Sequence, residues 1–397
     1  MENILTDSGS AFIFGNDAVA RGALESGVGF VTNYPGTPAS EIGDTFAQIA
    51  GKTGIYFEYS TNEKVALEAA AGAAFSGVKS LVIMKHYGLN VALDSLLPLV
   101  YLECPLVVVV ADDPGCFSSV QTEEDTRNLS RLAKIPTLEP ADPQEAKDLT
   151  KLAFEMAENY QIPVLVRLTN RVSYSRSQVN FDQPLAKAKK TGRFAKNPQG
   201  FKLGSDQTVE LHQKTLAKIE KIKQEVSEKT AVNFIKDGSG KLGIMTSGVS
   251  YNYLQEVQSD SAENFPILKI GMSYPFPNQM AADFIKNLNQ ILVIEELDPI
   301  LETELKIVAK NHQRLRIFGK DLMPEIGEFG PEDIEIALAK ILNQPISEVL
   351  SQNIANFKAA KIPVRIPFWC PGCPHRATFE AVKKALGKEV VFGGDIG

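Results

Sequence analysis

Glu63 opens an alanine- and glycine-rich stretch, Glu63-Lys-Val-Ala-Leu-Glu-Ala-Ala-Ala-Gly-Ala-Ala-Phe-Ser-Gly77, just after the strand-like run Ile55–Ser60. The dipole of a helix favours the charged form of an acid at its start, whereas burial in an apolar crevice favours the neutral form. A carboxyl balanced between the two can share a proton with a nitrogen heterocycle, and the small side chains that follow let a flat ligand approach. Other groups could join that chemistry. Tyr34-Pro-Gly-Thr-Pro38 is a preorganised turn that presents the Thr37 hydroxyl. His86, beside Gly88, suits proton transfer or binding of a carboxylate. Cys370-x-x-Cys373, followed by His375, has the spacing of a zinc or iron–sulfur chelate, although zinc needs a fourth ligand and a cluster two more cysteines. Each group also has a plainer use: Glu63 or Thr37 in starting a helix, His86 as a packed side chain, and the cysteine pair as a redox dithiol. Asp112-Asp113 and Glu123-Glu124-Asp125 read as a turn and the acidic start of a helix.

The elements that must position these residues follow from the apolar pattern. Strand candidates at Gly29–Asn33, Ile55–Tyr59, Ser80–Lys85, Pro105–Ala111 and Val164–Leu168 are β-branched and do not alternate. Such strands have both faces covered by helices, in a parallel sheet. Helical patterns lie between them, near 17–26, 39–49, 63–76, 89–97, 123–132 and 143–159. The turns after the strands then line one edge, where ligands bind in such sheets. The expected organisation is an α/β domain over 1–176, a linker carrying a charged helix over 177–240 and a smaller α/β domain over 241–342. A second linker over 343–366 and the start of a further domain over 367–397 complete it.

Composition sets bounds on function. A net charge of −7 gives no electrostatic footprint for nucleic acid or anionic lipid. The most apolar stretch, Leu96 to Ala111, is broken by Pro98, Glu103 and Pro105, so no membrane span is expected. Four cysteines make no disulfide framework, and the opening residues carry no signal peptide, so the chain is expected to be cytoplasmic.

In order and combination these motifs resemble the thiamine-diphosphate-dependent 2-oxoacid:ferredoxin oxidoreductases, and most closely the alpha subunits of the indolepyruvate branch. The residues that carry the resemblance are Tyr34–Pro38, Glu63 with its small-residue helix, Lys85-His-Tyr-Gly-Leu-Asn90, Ala111-Asp-Asp-Pro-Gly115, Lys269-Ile-Gly-Met-Ser-Tyr-Pro-Phe-Pro277 and Cys370-Pro-Gly-Cys-Pro-His-Arg376. The resemblance implies a pyrimidine-binding domain, a domain like the C-terminal domain of transketolase and the beginning of a diphosphate-binding domain. It implies oxidative decarboxylation of aryl pyruvates to aryl-acyl-CoA through a thiamine diphosphate ylide, with electrons passed to ferredoxin. Its site residues are Glu63, Thr37 and His86 for catalysis, Glu63, Gly36 and Gly88 for cofactor contact, and Cys370 and Cys373 as two ligands of a 4Fe-4S cluster. The implied partners are a beta subunit, ferredoxin, CoA, the 2-oxoacid and a second alpha chain. Family members continue past the Gly-Asp-Ile-Gly397 stretch with a further cluster cysteine and the residues that hold Mg2+ and the diphosphate. The chain is therefore expected to be C-terminally truncated and inactive alone. Two other readings stay open: a non-redox thiamine-dependent decarboxylase or transketolase relative, and a non-catalytic split subunit that needs a partner.

Overall fold

The computed structural model describes residues 2–116, 122–181, 191–197, 200–204, 206–229, 232–259, 264–360, 371–387 and 389–391. The chain divides into two compact units, residues 1–345 and 346–397.

The first unit begins with β1 (Gly9–Phe14) and α1 (Gly15–Glu25), then β2 (Phe30–Asn33), α2 (Ser40–Thr53), β3 (Tyr56–Tyr59) and α3 (Glu63–Phe75). It continues through β4 (Ser80–Lys85), α4 (His86–Tyr101), β5 (Leu106–Asp112), α5 (Thr126–Ala133), β6 (Thr137–Leu138), α6 (Pro143–Tyr160), β7 (Val164–Thr169), α7 (Asn170–Tyr174) and β8 (Arg176–Phe181). Every residue of β5 and β7 is buried, the continuous apolar pattern of strands covered on both faces. Local signals set the helix ends. Asp142 caps α6 by accepting from the Glu145 amide at 2.9 Å, Pro143 follows at the first helical position, and Gly54 stops α2 in the left-handed region. The expected turn His86-Tyr-Gly88 is instead the first turn of α4, which starts directly at the end of β4.

The second series comprises α8 (Thr208–Ile222), β9 (Phe234–Lys236), β10 (Leu242–Ser247), α9 (Ser250–Ser259), β11 (Ile267–Ile270), β12 (Met272–Tyr274), α10 (Asn278–Ile285), β13 (Gln290–Ile294), α11 (Ile300–Val308), β14 (Arg316–Phe318) and α12 (Pro331–Leu342). Among the described residues these strands build a sheet in the order β14-β13-β10-β11-β9, parallel except for β9. A larger sheet has the order β12-β6-β7-β5-β4-β2-β3 and is parallel except at β12. The strand β12, from the second series, thus extends the first sheet by pairing antiparallel with β6. Its apolar residue Met272 joins the core of the first sheet. Short strands such as β6, β9 and β12 are two or three residues long and carry no periodic signal a sequence reader could use.

The second unit contains α13 (Glu348–Ala359) and α14 (Pro374–Leu386), neither of which buries a residue. No helix among the described residues is long and apolar enough to cross a membrane.

Candidate functional site

The order of the larger sheet reverses at β2, because β3 pairs on one side of it and β4 returns on the other. At such a reversal the connections leave in opposite directions and open a crevice beyond the carboxyl ends of the strands. The loop after β2 carries Tyr34 to Pro38, the end of β4 carries Lys85 and His86, and the turn after β3 delivers Glu63.

Glu63 is the first residue of α3, and the preceding Asn62 caps that helix by accepting from the Val65 amide at 2.9 Å. Its side chain is held in place by a neighbour that has none. A Cβ on Gly88 would stand 2.4 Å from Glu63 Oε1 and 2.7 Å from Cδ, so the carboxyl occupies space that only glycine at 88 leaves open. With 6% of the residue exposed, burial pushes the carboxyl above its ordinary range. The backbone amide of Glu63 and the charge of Lys85 oppose that rise without cancelling it. Burial therefore prevails over the helix start in setting the acidity of this residue.

Gly36 plays the matching part on the other side of the crevice. A Cβ there would meet the Lys85 stem at 2.7 Å from Cγ and 2.8 Å from Cδ. The two glycines expected to contact a cofactor are thus seats for two ionic side chains. Lys85 was not among the expected site residues. The signal that could have found it is a lone charge closing the apolar strand Ser80-Leu-Val-Ile-Met-Lys85.

Thr37 is half-buried in the loop after β2. Neither Thr37 nor Ser40 caps α2, whose capping position is Ala39 with no side-chain bond. His86 shares the edge and is fully buried. Its Nε2 lies 2.8 Å from the carbonyl of Thr122, which accepts from it, and Nδ1 has no partner among the described residues. The structure thus sets Glu63 against Gly88 and Lys85 against Gly36, with Thr37 and His86 at the same strand ends.

A buried ionic cluster joins the two sheets near the same edges. Arg167 bonds Asp112 at 2.7 Å and Glu139 at 2.9 Å. Arg127 grips Asp125 at 2.6 Å and reaches Glu295 at 2.8 Å and the carbonyl of Glu296 at 2.8 Å. Asp112 and Asp125 are therefore structural: Asp112 accepts from Thr126, and Asp125 caps α5. Glu296, only 5% exposed, is pushed up to about 7 by burial and further by Glu328, against the pull of Arg167 and Arg127. A glutamate whose folded pKa is raised binds a proton more readily when folded. Its contribution is complete below the ordinary value of 4.5 and is lost as pH rises through about 7. Melting of the Glu296→Gln variant is expected to lose part of the wild-type decline between pH 5 and pH 7.5; identical pH profiles would contradict the assignment.

In the second unit Cys373 is half-buried before α14, with Sγ 3.5 Å from His375 Nδ1. Cys370 lies outside the described residues, and among those described no group of His, Cys, Asp or Glu is placed to hold a metal ion.

Comparison with known proteins extends this picture. The model of the pyruvate flavodoxin/ferredoxin oxidoreductase family, thiamine diphosphate-binding, matches residues 21–231. Indolepyruvate oxidoreductase subunit IorA of Methanothermobacter thermautotrophicus is 40% identical over 100% of this chain and 65% of that protein. The subunit of the same name from Pyrococcus horikoshii is 40% identical over 97% of this chain and 61% of its own length. The chain therefore spans a little under two thirds of these curated relatives. Among solved structures, 2-oxoglutarate:ferredoxin oxidoreductase from Magnetococcus marinus aligns with a TM-score of 0.66 at 18% identity, over 85% of this chain and 66% of that one. A split-gene transketolase aligns with a TM-score of 0.55 at 13% identity, over 84% of this chain and 99% of that one. Both likenesses concern the fold.

Proposed function

The chain belongs to the pyruvate flavodoxin/ferredoxin oxidoreductase family, in its thiamine diphosphate-binding part, and on that premise we propose that it is the pyrimidine-binding portion of an indolepyruvate-type alpha subunit. The complete enzyme oxidatively decarboxylates aryl pyruvates to aryl-acyl-CoA and passes two electrons to ferredoxin in the cytoplasm. The observation that carries this reading is the Glu63 carboxyl, buried on Gly88 at the reversal of the sheet and raised in pKa by burial. A carboxyl so placed fits the aminopyrimidine of thiamine diphosphate, because burial raises its pKa and so favours the protonated form that can donate to a ring nitrogen. When bound, that cofactor supplies the carbon nucleophile that adds to the ketone of the oxoacid. Glu63 is the residue that would hold the ring nitrogen of the aminopyrimidine and would carry the proton shared with it. Thr37 orients the oxoacid from the loop after β2, and His86 steadies the start of α4 by holding the Thr122 carbonyl.

The remaining groups are only partly supplied here. A 4Fe-4S cluster needs four thiolates, and Cys370 with Cys373 provides two, so no step is routed through it. No group of three or more His, Cys, Asp or Glu among the described residues could hold Mg2+, and no step is routed through that ion. A second alpha chain or the beta subunit has a surface to cover, since Tyr34, Tyr59, Val65, Tyr87 and Val91 are exposed around the crevice.

The test is anaerobic turnover of the full-length protein with its beta subunit, using an aryl pyruvate, CoA and ferredoxin. Thiamine-dependent ferredoxin reduction is expected. Aldehyde formation without ferredoxin reduction would replace this reading with the non-redox one. This chain by itself is expected to bind thiamine diphosphate and Mg2+ weakly or not at all by calorimetry.

A further inference from the structure

A 2-oxoacid reaches this crevice as an anion, so a cation that donates a charge-assisted hydrogen bond to its carboxylate has a clear physical task. Several cations lie near the edge, and their positions separate them. Arg127 and Arg167 are buried at the junction of the two sheets, among Asp125, Glu295, Asp112 and Glu139. Lys64 lies with Asp94 on the exposed side of α3 and α4. Arg171 follows β7, two strands away from β4 in the sheet. His86 is fully buried.

Lys85 differs in position. It ends β4 on the reversal itself, where β2 and β4 are hydrogen-bonded neighbours. Its stem lies against the α-carbon of Gly36, one residue before Thr37, and its ammonium stands 5.7 Å from the centre of the Tyr87 ring. Its charge is felt at Glu63. The stem thus lies against the loop assigned to the oxoacid, and the ammonium lies beside an exposed aromatic ring.

Building on the function proposed above, we propose that Lys85 binds the carboxylate of the 2-oxoacid, with the Tyr87 ring offering flat apolar surface to its aryl group. Gly36 is then a specificity element at one remove, because any side chain at 36 displaces the Lys85 stem. The role is one of binding: the lysine holds the carboxylate by a charge-assisted hydrogen bond and leaves proton transfer to Glu63.

The test compares Lys85→Met and Lys85→Arg with the parent, all as full-length protein assembled with the beta subunit. The methionine variant is expected to raise KM for an aryl pyruvate by about 10- to 100-fold, the usual weight of a hydrogen bond to a charged group, with a smaller change in kcat. The arginine variant is expected to recover part of the loss. Calorimetry supplies a readout independent of turnover. An arylacetate is expected to bind the methionine variant more weakly than the parent, while its neutral arylacetamide binds both alike. Unchanged KM, equal weakening of acid and amide, or a fall in kcat alone would overturn the proposal, the last by assigning Lys85 to tuning Glu63. A parent assembly that turns over no oxoacid would overturn the function instead, and the acid–amide comparison would still decide Lys85.

Discussion

Glu63→Gln in the full-length enzyme is expected to lower turnover by about 10²- to 10⁴-fold, the range spanned by a positioned acid–base group, while the fold survives. The amide fills the volume of the carboxyl on Gly88 but neither gives nor takes the proton at the aminopyrimidine nitrogen. Because burial works against the charged carboxylate, its neutral replacement is expected to leave the melting temperature equal or higher. Gly88→Ala supplies the geometric counterpart. The new Cβ lands 2.4 Å from Glu63 Oε1 and 2.5 Å from its Cγ, so the whole Glu63 side chain must shift. Displacement of about 1 Å in a reacting group costs roughly 10²-fold, and alanine is the better helix former within α4. Activity should therefore fall in both variants while stability holds. Near-normal turnover in Glu63→Gln would end the assignment of this residue.

Arg127→Met is expected to destabilise the first unit by about 3–5 kcal/mol, the usual result of removing one partner from a buried ionic group. Asp125 and Glu295 would be left facing each other without their shared cation. Burial alone raises the Asp125 carboxyl, and Arg127 with Arg167 more than reverses that. Glu295 also accepts from the amides of Leu301 and Glu302, both at 2.9 Å, so its placement governs the start of α11. The loss should thus spread into the second sheet and appear as one cooperative drop in urea or thermal unfolding. Glu103→Gln offers the contrast. That carboxylate bonds Lys214 and Lys218, both at 2.7 Å, but its side chain is 34% exposed, and such pairs contribute about 0–1 kcal/mol. Comparable losses in the two variants would refute the claim that the charged junction holds the two sheets together.

The expected site shows where a linear reading reaches its limit. The run Tyr34–Pro38 and the helix opened by Glu63 could be placed at strand ends because strand and helix periods are local. Gly36 and Gly88 were expected to contact a cofactor, and the clearance each leaves for an ionic side chain from another strand or helix could not be read from the sequence. His86 was expected among the site residues, and as the first residue of α4 it bonds the Thr122 carbonyl across 36 residues of chain. No spacing rule encodes that partner. Lys85 escaped notice because a single lysine at a strand end has many ordinary uses.

The sequence alone determined the parallel α/β class, the principal strands and helices, the acid at the start of α3 and the motifs that mark the family. These depend on hydrophobic period, caps and turn residues, all interactions of short range. Only the tertiary structure decided that β12 from the second series completes the first sheet, that buried arginines lock the two sheets together, and that Glu63 and Lys85 occupy clearances left by Gly88 and Gly36. Those outcomes depend on which side chains meet after distant segments pack, and on the burial that raises the Glu63 carboxyl above the value its helix start would favour.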